Sequence, residues 1–365
     1  MKDKTYVLEV ANMGSRYGIE TFNMNVLRNV NHELLELDFL SIPDGPFDEE
    51  IKSYGGKIYK MASLNKFLSR YIGLRKLLKR HPEISTVHIH GNSAIGCLDA
   101  LAAKHSGIPQ VIIHSHNDGC FGLKQKMLHA FAKRLINNSC TLRFSCSKAA
   151  GEWMFGKKAV FEVVPNAIDL QKFAFSNSRR RIVRERLGIE ANKVVGHVGR
   201  MEQQKNHKMI ISVFEKIHAT HPETCLLLVG NGSLKDEVLH LISEKGLTDS
   251  VIIIDESEKV EELLCAMDVF LFPSIWEGLG ISLVEAQASG IPCVVSDIVK
   301  DEVCVTSLIE KVSLNKSVDE WAKIVSDQLY SEIDRGSEKY IHNLAEAGFD
   351  VVRMAKKMQN VYCNK

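Results

Sequence analysis

The chain lacks most of the signatures that settle a function quickly. None of its nine cysteines forms a Cys-x-x-Cys pair, and their number is odd, which removes the usual zinc-ribbon and dithiol spacings. No stretch reaches the roughly 18 uninterrupted apolar residues that read as a membrane span. Prolines number only 8 in 365 residues, and no low-complexity tract or internal repeat interrupts them. The first strand-to-helix turn reads Asn12-Met13-Gly14-Ser15-Arg16-Tyr17-Gly18-Ile19-Glu20. It is not the G-x-G-x-x-G of a dinucleotide-binding enzyme, and no Walker A sequence occurs either. There is no Asp-x-Asp pair to hold a divalent ion.

What is present is an ordinary enzyme composition, 45% hydrophobic and 25% charged, at a length that favours two domains. Cys225, Cys265 and Cys293 sit inside apolar runs, which suits reduced core thiols. The opening MKDKTYVLEV enters a strand pattern with no apolar leader segment. Together these predict a cytoplasmic protein. The net charge of +1 hides an asymmetry: residues 1–165 hold 22 Lys+Arg against 15 Asp+Glu, and the remainder 24 against 30. Two basic stretches with helical spacing, Lys66–Arg80 and Lys124–Arg134, supply much of the excess. Such helices are either solvated outer faces or docking surfaces for an anionic membrane. Nucleic acid is not expected, because no aromatic-interleaved basic groove accompanies them.

Short apolar runs alternate with helix-length periodic segments. Strands are predicted at Tyr6–Ala11, Leu34–Leu40, Thr86–His90, Gln110–His114, Thr141–Cys146 and Val160–Val164. A second series follows at Lys193–Val198, Cys225–Val229, Val251–Ile254, Val269–Phe272 and Cys293–Ser296. This alternation predicts an α/β chain of two doubly wound, Rossmann-like parallel sheets, with ligands beyond the carboxyl ends of the strands. A polar basic stretch, Ser176–Arg181, separates the series, and the boundary is placed near residue 170. The last helix, Phe349–Tyr362, carries one apolar stripe: Val351, Met354, Ala355, Met358 and Tyr362.

Four strand-end turns hold the residues with chemistry. Gly18 opens a helix, where close backbone approach and free amides suit an anion; a plain tight turn explains it as well. His114-Ser115-His116-Asn117 ends a strand, with His114 and His116 on one face, and His88 and His90 repeat that spacing. Zinc needs three convergent ligands; the sequence identifies no such set, so no metal is expected and a structural role stays open for the histidines. Gly199-Arg200 ends another strand, with Lys205 before a helix for which Asn206 is a plausible N-cap. Two cations there complement a diphosphate, the alternative being a solvated loop. The fourth turn, Phe272–Ala286, follows a buried strand and opens a helix. Glu277 lies at the helix mouth, Glu285 lies about one turn inside, and Gly278, Leu279 and Gly280 leave amides bare between them. A carboxylate among Leu283, Val284 and Ala286 needs a partner.

The run ProSer-x2-GluGly-x6-GluAla-x3-Gly-x-Pro (273–292) resembles the donor-site motif of the family 4 retaining glycosyltransferases, which have the GT-B fold. The capsular and exopolysaccharide branch is the most similar in its GluAlaGlnAlaSerGly (285–290). The resemblance covers nearly the whole chain, through Gly18-Ile19-Glu20, His116, Pro165-Asn166, Gly199-Arg200, Lys205-Asn206 and Gly230-Asn231-Gly232. It implies that Glu285 accepts from ribose hydroxyls and that Glu277 holds hydroxyls of the transferred sugar beside Gly278–Gly280. Arg200 and Lys205 would neutralise the diphosphate without a metal cofactor, and His116 would orient the sugar. Gly18 and Gly199 would let backbone approach the phosphates, while Gly230, Asn231 and Gly232 would border the nucleotide. It also places residues 347–365 with the N-terminal, acceptor-side domain (1–170), leaving 171–346 to bind the nucleotide sugar. Tyr17 and Ser282 depart from the family's usual Gly and Pro.

The expected reaction moves a hexose or N-acetylhexosamine from a nucleotide-diphosphate sugar, UDP being the usual carrier in this branch. The acceptor would be lipid-linked or a glycan, at the inner face of the cell membrane. A nucleotide-sugar epimerase or a phosphorylase on the same plan would lack acceptor-dependent release of nucleoside diphosphate. A two-domain binding protein would close on a ligand without turnover.

Overall fold

The computed structural model describes residues 4–14, 18–41, 45–60, 66–119, 123–255, 257 and 259–363, with residues 123–125 described through their backbone alone. The chain divides into two compact units, Met1–Ile168 with Gly348–Lys365, and Asp169–Ala347. Of the readings above, Ser15, Arg16 and Tyr17 lie outside the described residues, as do the side chains of Lys124 and Gln125.

In the first unit seven strands are described: β1 (Thr5–Val10), β2 (Leu35–Ser41), β3 (Ile58–Lys60), β4 (Ile84–Gly91), β5 (Gln110–Ser115), β6 (Leu142–Ser145) and β7 (Glu162–Val163). They form one sheet in the order β3-β2-β1-β4-β5-β6-β7, every pairing parallel. A parallel sheet is covered on both faces, and alternation along β1 shows how. Val7 joins a core with Phe22, Met354, Met358 and Tyr362, while Leu8 and Val10 join another with Leu74, Leu78, Ala100 and Ile136. The helices Gly18–Asn29 and Val351–Tyr362 pack together over the first face. All five apolar residues of the terminal helix's stripe are buried. Asp350 caps that helix, its carboxylate accepting from the amides of Val352 and Arg353, which satisfies two of the donors a helix start leaves open.

The second unit repeats the plan with β8 (Lys193–Val198), β9 (Thr224–Val229), β10 (Val251–Ile254), β11 (Val269–Phe272), β12 (Cys293–Ser296) and β13 (Ile309–Val312), ordered β10-β9-β8-β11-β12-β13. Strand order reverses between β1 and β4 in one sheet and between β8 and β11 in the other. Crevices for ligands open at such reversals.

Two readings need correction. The basic stretch after residue 175 is a helix, Asn177–Leu187, capped by the Ser176 hydroxyl. It belongs to the second unit because Arg180 and Arg184 both reach the Asp268 carboxylate. Asn206 does not cap the helix His207–Thr220 with its side chain. It adopts a left-handed backbone (φ 58°) and its Nδ2 donates to the Pro273 carbonyl, tying the loop to the end of β11. Among the described residues no helix is long and apolar enough to cross a membrane.

Candidate active site

At the β8/β11 reversal the second unit assembles its charged residues. Lys205 Nζ lies 2.6 Å from Glu277 Oε1, and Gln204 Nε2 donates to Glu277 Oε2 at 3.1 Å. The pair is secluded, with side-chain exposures of 13% for Lys205 and 5% for Glu277. The ammonium also stands 4.6 Å from the centre of the Phe272 ring, a cation–π contact. The lysine is therefore neutralised by a carboxylate, which the sequence reading of two uncommitted cations did not foresee. Arg200 stands exposed just past the end of β8.

The backbone around this pair is tightly fitted. A Cβ on Gly199 would sit 3.1 Å from Lys205 Cε, so a side chain there would displace the lysine. Gly230 has φ 137°, and a Cβ there would fall 2.2 Å from the Gly199 carbonyl oxygen. Its amide donates to Ile254 and the Gly199 amide to Val229, which locks the two loops side by side. Asn231 is exposed; its carbonyl accepts from Met201 and its side chain from the Gly232 amide. Below the lysine, His197 and His207 pack edge to face. Burial, with help from the nearby Lys205 charge, holds both imidazoles below their usual range, His207 at about 4.

The helix Ile281–Ala288 begins beside Glu277. Gly280, at its start, has φ 74°, a conformation glycine adopts without strain. Among the described residues no acceptor meets the amides of Gly278, Leu279, Gly280, Ile281 or Ser282. That set of open donors at the positive end of a helix suits an anion. Glu285 lies one turn in. Burial raises its carboxyl to about 8, opposed by Lys172 and reinforced by Glu261. No hydrogen bond to that carboxylate is found among the described residues. An ionised carboxylate accepts hydrogen bonds from hydroxyl donors. The charges that act on Glu285 are Lys172 and Glu261, themselves 3.5 Å apart.

The first unit collects the remaining candidates. His116 follows β5, and its Nε2 lies 2.9 Å from His90 Nδ1 on β4. Gly18 opens its helix, and its carbonyl accepts from Asn166 Nδ2 at 3.1 Å. Sequence reasoning left two histidine pairs unconnected. The register of His90 beside His114 and of Glu9 beside His88 merges them into one cluster, with Phe22 packed against three of the rings. Glu9 was missed altogether, since it carries no local signal, and Tyr362 was read only as part of the apolar stripe. Nitrogens of His88, His90 and His114 come within 4.8 Å of one another, a trio the sequence had not named. Part of this set is engaged, since His88 Nδ1 bonds the Tyr362 hydroxyl at 2.7 Å and His90 Nε2 bonds Glu9 at 2.8 Å, while His88 Nε2 and His114 Nδ1 are buried without a hydrogen-bond partner among the described residues. The His88 and His114 rings are nearly parallel, 9° apart. The cluster is a hydrogen-bonded network.

Two parallel α/β units, each with a doubly wound sheet, are the plan of the GT-B fold. Residues 18–172 match the family described as Glycosyltransferase Family 4, and residues 179–332 match that described as Glycosyl transferases group 1. EpsF of Bacillus subtilis (strain 168), which bears a glycosyltransferase name, is 31% identical over 98% of this chain and 96% of its own length. An Escherichia coli protein is 25% identical over 94% of this chain and 93% of its own; its name is UDP-Gal:alpha-D-GlcNAc-diphosphoundecaprenol alpha-1,3-galactosyltransferase. Among solved structures, Anabaena HepE in complex with UDP superposes with a TM-score of 0.78 at 18% identity, covering 99% of this chain and all of that one. The chain belongs to the family 4 glycosyltransferases, in their exopolysaccharide-type branch, and is a glycosyltransferase of GT-B fold.

Proposed function

We propose that the protein transfers a hexose or N-acetylhexosamine from a UDP-sugar to a lipid-linked acceptor in exopolysaccharide synthesis, without a metal and with retention at the anomeric carbon. The observation that carries this is the helix mouth at Gly278–Ser282, with its open amides set between Glu277 and Glu285. The amides receive the diphosphate, Glu285 accepts from the ribose and Glu277 from the sugar. As the anomeric bond breaks, charge builds on the leaving phosphate. Preorganised donors at such a place contribute about 3 kcal/mol each. Arg200 adds positive charge there, Lys205, paired with Glu277, offers its remaining N–H donors, and the leaving phosphate takes the acceptor's proton. The Escherichia coli relative, whose name gives a UDP-sugar donor and a diphosphoundecaprenol acceptor, supports the choice of both substrates. Thermal denaturation against a panel of nucleotide sugars tests the donor. A UDP-sugar should raise the melting temperature more than its GDP or ADP counterparts, since ligand bound to the native state stabilises it. The shift should persist in EDTA, and its loss there would sink the metal-free reading.

The first unit also supports a membrane-surface location. The helix Phe67–Arg80 exposes Phe67, Leu68 and Ile72, and the helix Leu123–Ser139 exposes Met127, Leu128, Phe131 and Leu135. Both pack on Cys97–Lys104, so basic and apolar groups occur together on neighbouring helices, the composition of an interfacial surface. The protein should sediment with anionic vesicles at low salt and not with neutral ones. Leu68→Glu with Phe131→Glu should abolish it. Equal partition between the two vesicle types would refute docking.

A further inference from the structure

The network behind His116 has a direction, and the direction fixes which nitrogen of His116 is free. Glu9 is buried on β1. Burial alone would raise its carboxyl, but the imidazoles of His88 and His90 more than offset this and hold it well below the usual carboxylate range. An ionised carboxylate only accepts hydrogen bonds, so the 2.8 Å contact requires a proton on His90 Nε2. Burial, reinforced by His88 and opposed by Glu9, pushes His90 down to about 4, so at neutral pH this ring has no second proton. His90 Nδ1 is then a lone pair. The 2.9 Å contact to His116 Nε2 must be filled by a proton on His116. Burial also holds His116 well below its ordinary value. Its Nδ1 is therefore a bare acceptor, and it is a buried atom with no hydrogen-bond partner.

A second acceptor lies beside it. Asn166 uses Nδ2 on the Gly18 carbonyl, which leaves Oδ1 buried and unpartnered too, and Asn166 stands close enough to His116 to act on that ring as a hydrogen-bond acceptor, raising it against burial. An Nδ1 proton on His116 would satisfy Asn166 Oδ1. It would also force His90 to turn a lone pair on the Glu9 carboxylate, the costlier arrangement in a buried site. The other groups facing the network are His88 on β4, His114 on β5 and Tyr362 on the terminal helix. The Tyr362 hydroxyl donates to Glu9 Oε1 at 2.7 Å and so holds that carboxylate in place.

We propose that Glu9 and His90 are positioning residues that fix His116 as the Nε2–H tautomer, so that His116 Nδ1 and Asn166 Oδ1 together receive a hydroxyl of the sugar substrate. This rests on the placement of His116 at the reacting sugar. Two adjacent buried acceptors without a donor are complementary to an O–H group and hostile to a phosphate or carboxylate oxygen. A ring held in the wrong tautomer presents N–H where the hydroxyl must donate. Loss of that arrangement costs turnover on the scale of general-base removal, about 100-fold or more.

The test is nitrogen NMR of the full chain labelled with 15N-histidine, with His116 assigned by His116→Asn. Wild type should show a protonated Nε2 and an unprotonated Nδ1. In Glu9→Gln the new amide donates to His90 Nε2 and reverses the chain, so the His116 proton should move to Nδ1. Turnover should fall about 100-fold while the nucleotide-sugar thermal shift is kept. A wild-type His116 protonated on Nδ1 would overturn the proposal even if Glu9→Gln did not fold, as would an unchanged tautomer or unchanged turnover in that variant. Full transfer by His116→Ala would instead remove His116 from the reaction and leave the tautomer result standing.

Discussion

Glu277→Gln should lower turnover by about 100- to 1000-fold with the fold intact, whereas Glu277→Ala should also unfold the second unit at a lower temperature. The difference follows from the ion pair. Glu277 bonds Lys205 at 2.6 Å with both side chains largely out of water. Glutamine keeps the shape and an oxygen for Lys205 but loses the charge that holds the ammonium. Alanine leaves that ammonium buried and unpaired, which costs about 3–5 kcal/mol. For a unit of this size that corresponds to a fall of roughly 10 °C in melting temperature. Lys205→Ala should lose activity to a similar degree. Because the two residues act as one device, the double variant should be little worse than the poorer single one. Strict additivity of the two losses in kcat/KM, or near-normal turnover in Glu277→Gln, would separate the pair from the chemistry.

The parts of this site that were legible in the sequence are those set by local order. Val269–Phe272 and Cys293–Val295 are uninterrupted apolar runs because strands in the middle of a parallel sheet are buried on both faces. The helix mouth was legible because Glu277, Gly278, Gly280 and Glu285 lie within nine positions of one another. β3 and β13 were missed for the opposite reason. They are edge strands, half exposed, and Glu310 and Lys311 break the apolar pattern of the second. The helix Asn177–Leu187 reads as a polar linker because its arginines are matched by Asp268, more than 80 positions away. Long-range pairing is likewise why the site's electrostatics stayed hidden. Lys205 and Glu277 are 72 positions apart, His90 and Glu9 are 81 apart, and Tyr362 reaches Glu9 across 353. Only strand order brings them together, so composition could suggest charges for a diphosphate but not that one of them is already paired.

Donor affinity should rise steeply with pH up to about 8 and then level, through Glu285. In the free protein burial raises this carboxyl to about 8, so at neutral pH it is mostly protonated and has lost much of its capacity to accept. Ribose hydroxyls donating into the site favour the ionised form, so binding releases a proton. A nucleotide sugar has no phosphate proton of its own to lose in this range, and the dependence therefore reports the protein. If the bound carboxyl falls well below 6, to about 5 or lower, the dissociation constant should drop about 50-fold between pH 6 and pH 8. Calorimetry in two buffers of different ionisation enthalpy should find nearly one proton released per ligand at neutral pH. The same group sets a stability profile of defined sign. Its folded value lies above its unfolded value, so the stability it contributes is complete below about pH 4.5 and is lost as pH rises to about 8. The loss is on the order of a few kcal/mol. Glu285→Gln should therefore make the empty protein more stable at neutral pH while weakening donor binding and flattening its pH dependence. Wild-type affinity that does not change across this range would mean that Glu285 does not meet the nucleotide. A Glu285→Gln variant that binds donor as wild type does would place the ribose elsewhere on the second unit.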